Sequence, residues 1–257
     1  MLFRSDTHAH LNYEDRYGDA REALAEAAQA GVKKVICVGW DLPSSALAAR
    51  IAEQNDGVFF AAGFHPSNLE GFSERALCET AELLRAEKGV AVGEIGLDYH
   101  YDGTDERAQK RAFAAQLELA CALELPVSIH SRDAAADTLQ ILRDNRGKLR
   151  YGGVMHCFSG SPETAKEYLK LGLYISFAGP VTFKNARRLD EVAKIVPKDR
   201  ILAETDCPYL TPEPHRGKPN APKNAVYVYE KLAALRGVPL EELADEIEKN
   251  AHALFSL

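Results

Sequence analysis

Histidines and carboxylates stand at or near the ends of short apolar runs throughout this chain. His8 and His10 share the segment Ser5-Asp6-Thr7-His8-Ala9-His10. Because strand side chains alternate between two faces, this pair points to one side, and so do Glu204 and Asp206. The other members of the set are His65, Glu94, His130 and His156. If they converge, these imidazole and carboxylate groups suit a hydrolytic site for Zn, Mn, Fe or Mg.

Each residue type also has an ordinary explanation. A single histidine is more often a hydrogen-bonded core residue or an exposed one. The His8-x-His10 pair, preceded by Asp6 and joined by other strand-end histidines, is hard to explain by packing and favours metal binding. Glu94 ends an apolar run, where a buried carboxylate is costly unless a neighbouring arginine or a metal pairs with it. Its two oxygens could bridge two cations.

The carboxylates near the C-terminal end of the last apolar run have different predicted roles. Asp206 could cap the turn at Pro208, but a position facing the first-strand histidines favours a ligand that also takes a proton from water. Glu204 has three alternatives: support for a ligand, an extra cation site, or a structural ion pair. His65 is either a turn residue or a catalytic group.

A compact cationic loop, residues 215–220, follows the last run and suits phosphate binding; solvated surface charge is the alternative. Residues just after the fifth and sixth strands either contact substrate or cap the following helices. His100 and His252 are interpreted as surface or packing residues. The candidate substrate contacts are Arg132, Ser159, Arg216, Lys218 and Asn220.

Composition indicates an ordinary globular protein. Of 257 residues, 46% are hydrophobic and 27% charged, with no run able to span a bilayer and no signal peptide. Five widely spaced cysteines indicate reduced thiols. We therefore expect a soluble, cytoplasmic protein. Its net charge of -7 argues against broad adsorption to nucleic acid, although bound metals can supply positive charge locally. No pattern implies an obligate protein partner.

Strand-like and helix-like segments alternate along the whole chain, which predicts a parallel sheet covered by helices. The predicted strands are about 2–8, 33–39, 58–64, 90–95, 126–130, 151–157, 173–178 and 200–205. The predicted helices are 19–30, 44–55, 73–88, 105–123, 134–146, 162–171, 186–196, 223–235 and 240–255. We expect Gly31, Gly147, Gly172 and Gly237 to end helices in the left-handed conformation.

Eight strands can close a barrel, and no glycine-rich phosphate loop of an open doubly wound sheet is present. The polar residues also fall at the C-terminal ends of strands, where barrel active sites lie. The sequence predicts one α/β domain over residues 1–257, a single (β/α)8 TIM barrel with C-terminal helices.

Six ordered motifs resemble the TatD family of metal-dependent deoxyribonucleases, which are amidohydrolase-like barrels. The motifs are Asp6-Thr7-His8-Ala9-His10, Gly63-Phe64-His65-Pro66, Gly93-Glu94-Ile95-Gly96-Leu97-Asp98-Tyr99, His130-Ser131-Arg132-Asp133-Ala134, His156-Cys157-Phe158-Ser159-Gly160 and Glu204-Thr205-Asp206-Cys207-Pro208-Tyr209-Leu210. Pro219 and Ala221 depart from the family pattern, where a basic and an acidic residue are more common.

The resemblance implies two divalent metal ions, Mg, Mn or Zn, that share Glu94. His8, His10, Glu94 and Asp206 would hold the first, and Glu94, His130 and His156 the second. The leading hypothesis is a two-metal deoxyribonuclease that removes nucleotides from a 3′ end of DNA. In it Asp206 accepts the proton, while His65 and the Arg216/Lys218 loop position the phosphate. The alternatives are a D-aminoacyl-tRNA deacylase, a small-molecule amidohydrolase or lactonase, and a metal-bound interaction protein without turnover.

Overall fold

A computed structural model describes residues 4–257, apart from the side chain of Glu14. Eight parallel strands form one sheet in sequential order, and helices connect them. The strands are β1 (Arg4–Ala9), β2 (Val32–Val38), β3 (Val58–Ala62), β4 (Gly89–Asp98), β5 (Val127–Arg132), β6 (Gly153–Met155), β7 (Tyr174–Phe177) and β8 (Ile201–Ala203). The predicted (β/α)8 barrel architecture is confirmed.

The first and last strands close the barrel just above β8. Ala9 and Cys207 form a parallel bridge. The backbone N–H of His10 donates to the carbonyl of Cys207 at 2.8 Å, and that of Asp206 donates to the carbonyl of His8 at 2.9 Å. This closure places the first-strand histidines beside Asp206, as predicted from their sequence positions.

A buried carboxylate on β1 reinforces the closure. Asp6 accepts hydrogen bonds from the backbone N–H of Thr205 at 2.8 Å and from its hydroxyl at 2.6 Å. Burial raises the pKa of Asp6 to about 8, although these hydrogen bonds favour the ionised form. Thr205 lies between Glu204 and Asp206, so this contact fixes the segment that presents both acidic side chains.

The helices surround the strands, and the last of them packs at the N-terminal end of the barrel. They are α1 (Glu14–Tyr17), α2 (Ala20–Gln29), α3 (Leu42–Gln54), α4 (Glu74–Leu84), α5 (Glu106–Leu123), α6 (Ala135–Asp144), α7 (Pro162–Lys170), α8 (Arg187–Ile195), α9 (Ala225–Arg236) and α10 (Leu240–Phe255). The Asn250 amide on α10 donates to the carbonyls of Lys198 and Ile201 before and at the start of β8. The C-terminal helix therefore packs at the end opposite the strand-end histidines.

Several boundaries differ from the sequence prediction. Residues 2–3 of the first predicted strand lie outside the described residues. The fourth strand continues to Asp98, because it keeps pairing with β5 after Glu94. The sixth and eighth strands end before His156 and Glu204, and α1 was not predicted. Among the described residues, no helix has the length and apolar character needed to cross a membrane.

The glycine prediction was wrong at one position. Gly31, Gly172 and Gly237 have positive φ angles of 87°, 84° and 66° and follow helices, as predicted. Gly147 instead lies inside a short 3-10 helix, Arg146–Lys148, that continues the chain after α6. The 3-10 turn continues right-handed backbone geometry, so no left-handed residue is needed there.

Candidate active site

Glu94 lies at the centre of the candidate site and is 4% exposed. Its Oε1 lies 2.8 Å from Nδ1 of His130 and 2.7 Å from Nε2 of His156. Its Oε2 faces the other way, 3.5 Å from Nε2 of His8 and 3.7 Å from Nε2 of His10. The two oxygens of one carboxylate therefore meet two separate sets of histidine nitrogens.

Asp206 completes the first of these sets. Its Oδ1 lies 3.9 Å from Nε2 of His8 and 3.5 Å from Nε2 of His10. The buried Nε2 of His8 has no hydrogen-bond partner among the described residues. An unsatisfied buried ring nitrogen facing two carboxylates is what a cation site requires, so the residues present fit a divalent metal.

The ring nitrogens that face away from Glu94 all have partners. Nδ1 of His8 lies 3.3 Å from the Ser128 hydroxyl, and Nδ1 of His10 lies 2.9 Å from the Val38 carbonyl. A carbonyl only accepts, so His10 carries its proton on Nδ1 and presents the Nε2 lone pair inward. Such outer partners fix the orientation of metal-binding histidines.

Glu204 is the outer partner of His156. Its Oε1 lies 3.2 Å from Nδ1 of His156 and accepts the backbone N–H of Cys157 at 2.6 Å. The side chain is 1% exposed and turned toward these groups. Of the three alternatives left open by the sequence, the geometry favours support of His156 over an extra cation.

Asp98 is a site residue that the sequence prediction did not assign. Its Oδ2 lies 3.0 Å from Nε2 of His130, the nitrogen opposite the one that faces Glu94. The register of β4 and β5 pairs Gly96 with His130, so Glu94 and Asp98 flank the ring from one strand face. The spacing Glu94-x-Gly96-x-Asp98, with period two, was the available signal.

Gly96 permits this arrangement. Its φ angle is 144°, and a Cβ atom there would lie 2.0 Å from the carbonyl oxygen of His130. Only glycine fits this close approach of two backbones without displacing one of them.

His65 approaches Glu94 from the loop after β3. Its Nε2 lies 3.6 Å from Glu94 Oε1, while its Nδ1 accepts the backbone N–H of Ser67 at 3.1 Å. With Nδ1 used as an acceptor, the neutral ring carries its proton on Nε2. Burial lowers the pKa of His65 to about 4, so the ring is a neutral hydrogen-bond donor.

Opposing charges keep the carboxylates ionised despite their burial. Burial raises the pKa of Glu94, but the nearby charge of His156 and the hydrogen bonds from His130 and His156 more than offset it and hold the pKa well below its usual value. Burial also acts on Asp206, where the contact with His10 and the charge of His156 produce a lowered pKa. The two carboxylates therefore present negative charge toward the histidine nitrogens.

The candidate substrate contacts do not form one group. Arg132 at the end of β5 and Ser159 after β6 are both exposed, and the Arg132 guanidinium lies 5.6 Å from the centre of the Tyr101 ring. Arg216 lies 4.1 Å from the centre of the Phe183 ring, after β7. Lys218 lines a surface pocket with residues of α9 and the end of α2, and that pocket contains none of the residues around Glu94.

Asn220 differs most from its prediction as a substrate contact. The side chain is 2% exposed. Its amide donates to the carbonyls of Thr205 and Tyr209 at 3.0 and 2.6 Å, and its oxygen accepts from Ala221 and Asn224. These hydrogen bonds stabilise the loop after β8, so the side chain holds the loop in place and is not free to contact substrate.

A barrel with histidines and carboxylates converging at the C-terminal strand ends is the architecture of a metal-dependent hydrolase. A family model described as TatD related DNase matches residues 5–256, and the chain belongs to this TatD family. This confirms the resemblance found in the sequence motifs.

Relatives in two bacteria match over the full length of the chain. The Bacillus subtilis metal-dependent hydrolase YabD is 45% identical over 257 residues, covering 100% of both chains. The Escherichia coli metal-dependent hydrolase YcfH is 42% identical, covering 100% of this chain and 97% of YcfH. The crystal structure of the Escherichia coli TatD homologue YjjV superposes with a TM-score of 0.93 at 34% identity, covering 99% of this chain and 98% of YjjV.

Proposed function

We propose that the chain is a two-metal phosphodiesterase that acts on DNA and removes nucleotides from a 3′ end. The observation that carries this proposal is the orientation of Glu94, whose two oxygens face two separate sets of donors. The family description, TatD related DNase, supports DNA as the substrate class.

The two donor sets define which residues would hold the cations. Glu94 belongs to both. His8, His10 and Asp206 complete the first set, and His130 and His156 complete the second. Divalent Mg, Mn or Zn ions bound there would stabilise developing negative charge and lower the pKa of water. Bound there, their positive charge would also offset the net charge of -7 where substrate phosphate must approach.

Asp206 is the proposed proton acceptor. It is 9% exposed at the barrel mouth, and its lowered pKa keeps it ionised at neutral pH. An ionised carboxylate at this position can accept the proton of the attacking water. His65, whose Nε2 lies 3.6 Å from Oε1 of Glu94, would donate a hydrogen bond to a phosphate oxygen.

The deciding experiment compares substrate classes directly. Metal-loaded protein is incubated with 3′-labelled single- and double-stranded DNA, matched RNA and D-aminoacyl-tRNA, and Asp206→Ala is purified in parallel as the control. We expect labelled mononucleotide to be released from DNA by the wild type and not by the variant. Equal release by Asp206→Ala would indicate a contaminating nuclease. Turnover confined to D-aminoacyl-tRNA or to small esters would overturn the proposal.

A further inference from the structure

Three aromatic side chains surround His10 at the barrel mouth: Tyr13 after β1, Trp40 after β2 and Tyr209 after β8. The rings of Trp40 and Tyr209 have their centres 5.5 and 6.2 Å from that of His10. Tyr13 joins them, with its ring centre 5.7 Å from Trp40 and 6.1 Å from Tyr209. We call these three residues the aromatic cluster.

The aromatic cluster is not part of the barrel core. In the described part of the chain, none of its members belongs to the buried apolar core or to the apolar side chains packed against it. Tyr209 is 49% exposed, and Tyr13 and Trp40 are half-buried. Large aromatic surfaces left partly open beside a polar site are typical of ligand binding.

Backbone and side-chain contacts hold the cluster in place. The carbonyl of Trp40 accepts the backbone N–H of His65 at 2.9 Å, and its own N–H donates to Ser44 Oγ at 2.9 Å. The carbonyl of Tyr209 accepts the Asn220 amide at 2.6 Å. The cluster is therefore hydrogen-bonded to His65 in the candidate site and to Asn220, which holds the loop after β8. Its surface is preorganised for a flat ligand.

We propose that the aromatic cluster is a stacking surface for the nucleobase next to the phosphate that is cleaved. This inference rests on the proposed nuclease function. Aromatic rings bind bases of any sequence, because every base has a π face. A base is also uncharged, so the ionised Asp206 beside Tyr209 does not repel it.

Trp40 is the single tryptophan among the 257 residues, so tryptophan emission reports on this cluster alone. Metal-loaded protein is titrated with deoxyadenosine 5′-monophosphate and, separately, with 2-deoxyribose 5-phosphate, which has no base. We expect the nucleotide to quench the emission of Trp40 and to bind more tightly than the sugar phosphate. Equal quenching and equal affinity for the two ligands would overturn the proposal.

Variants of Tyr209 test the stacking directly. Tyr209→Ala should weaken nucleotide binding about tenfold, a value within the range for loss of one base-aromatic contact. Its affinity for the sugar phosphate should stay the same. Tyr209→Phe keeps the ring and should bind like the wild type. The matched control is Tyr151→Ala, because Tyr151 lies before β6 at the opposite end of the barrel and contacts Glu124.

The fluorescence readout needs no turnover, which separates this inference from the proposed function. Quenching by the nucleotide, lost in Tyr209→Ala, would support the stacking surface even in a protein that fails to hydrolyse DNA. DNA hydrolysis without base-dependent quenching would overturn the stacking surface and leave the nuclease proposal standing.

Discussion

Oδ2 of Asp98 lies 3.0 Å from Nε2 of His130, while Oε1 of Glu94 lies 2.8 Å from Nδ1 of the same ring. One strand, β4, thus supplies a carboxylate to each nitrogen of one imidazole on β5. The contact with Asp98 leaves Nδ1 as the nitrogen available to a ligand and increases the basicity of the ring. Asp98 is therefore a positioning residue for the second donor set.

Asp98→Asn should weaken metal binding at the second donor set by about 10- to 100-fold, because the outer partner of His130 loses its charge. Affinity for the first set should change little. Calorimetric titration with Mn²⁺ measures both affinities. Asp133→Asn is the matched control, since Asp133 pairs with the exposed His100 outside the donor sets. Equal effects of the two substitutions would show that Asp98 has no specific role.

The number of metal ions bound per chain should depend on which donor set a substitution removes. We expect wild-type protein to bind two divalent ions per chain by elemental analysis after reconstitution. Asp206→Ala and His130→Ala each remove a ligand of one set and should retain one ion. Glu94→Ala removes the shared ligand and should lose most of both.

These variants should also stay folded, because the altered side chains lie at the mouth of the barrel and the apolar core packs among the strands and helices below them. Thermal unfolding checks this, with His252→Ala, an exposed histidine on α10, as the control. Binding of a single ion by fully active wild-type protein would contradict the two-metal proposal.

Gly96→Ala should destabilise the fold by about 3 kcal/mol or more, because strained backbone and a clash with the His130 carbonyl act together. Gly103→Ala is a control for the backbone alone. Gly103 also has a positive φ angle, 79°, but a Cβ atom there meets nothing within 4 Å. That variant should lose about 1 kcal/mol. Urea unfolding midpoints compare the stability of the two variants. An equal loss of stability would show that the contact with the His130 carbonyl is not the cause.

Arg216→Ala should raise KM on oligonucleotides more than Lys218→Ala does. The Arg216 guanidinium lies over the ring of Phe183, in the segment that follows the C-terminal end of β7. Lys218 lines a separate surface pocket. A phosphate contact by Arg216 predicts that its removal lowers the salt dependence of binding by roughly one unit. Binding is measured across a series of salt concentrations. An unchanged slope for Arg216→Ala would assign the Arg216 side chain to solvated surface.

The barrel architecture and the inner residues of the candidate site follow from the amino-acid sequence. Alternation of apolar runs and helical segments indicates a parallel sheet, and strand periodicity puts His8 and His10 on one face. Glu94 and His130 follow from their places near the ends of apolar runs. These inferences succeed because they depend on short-range patterns that one strand carries within itself.

The hydrogen-bond partners of those residues are visible only in the folded barrel. The pairing of Asp98 with His130 depends on the register between β4 and β5, and the contact of Glu204 with His156 joins the residues that follow β8 and β6. The aromatic cluster assembles Tyr13, Trp40 and Tyr209 from three loops that meet only when the barrel closes. The sequence predicts a phosphate contact for Asn220, whereas its buried amide donates to the backbone carbonyls of Thr205 and Tyr209. Partners of this kind are set by distances across the closed barrel, and no local pattern in the chain encodes them.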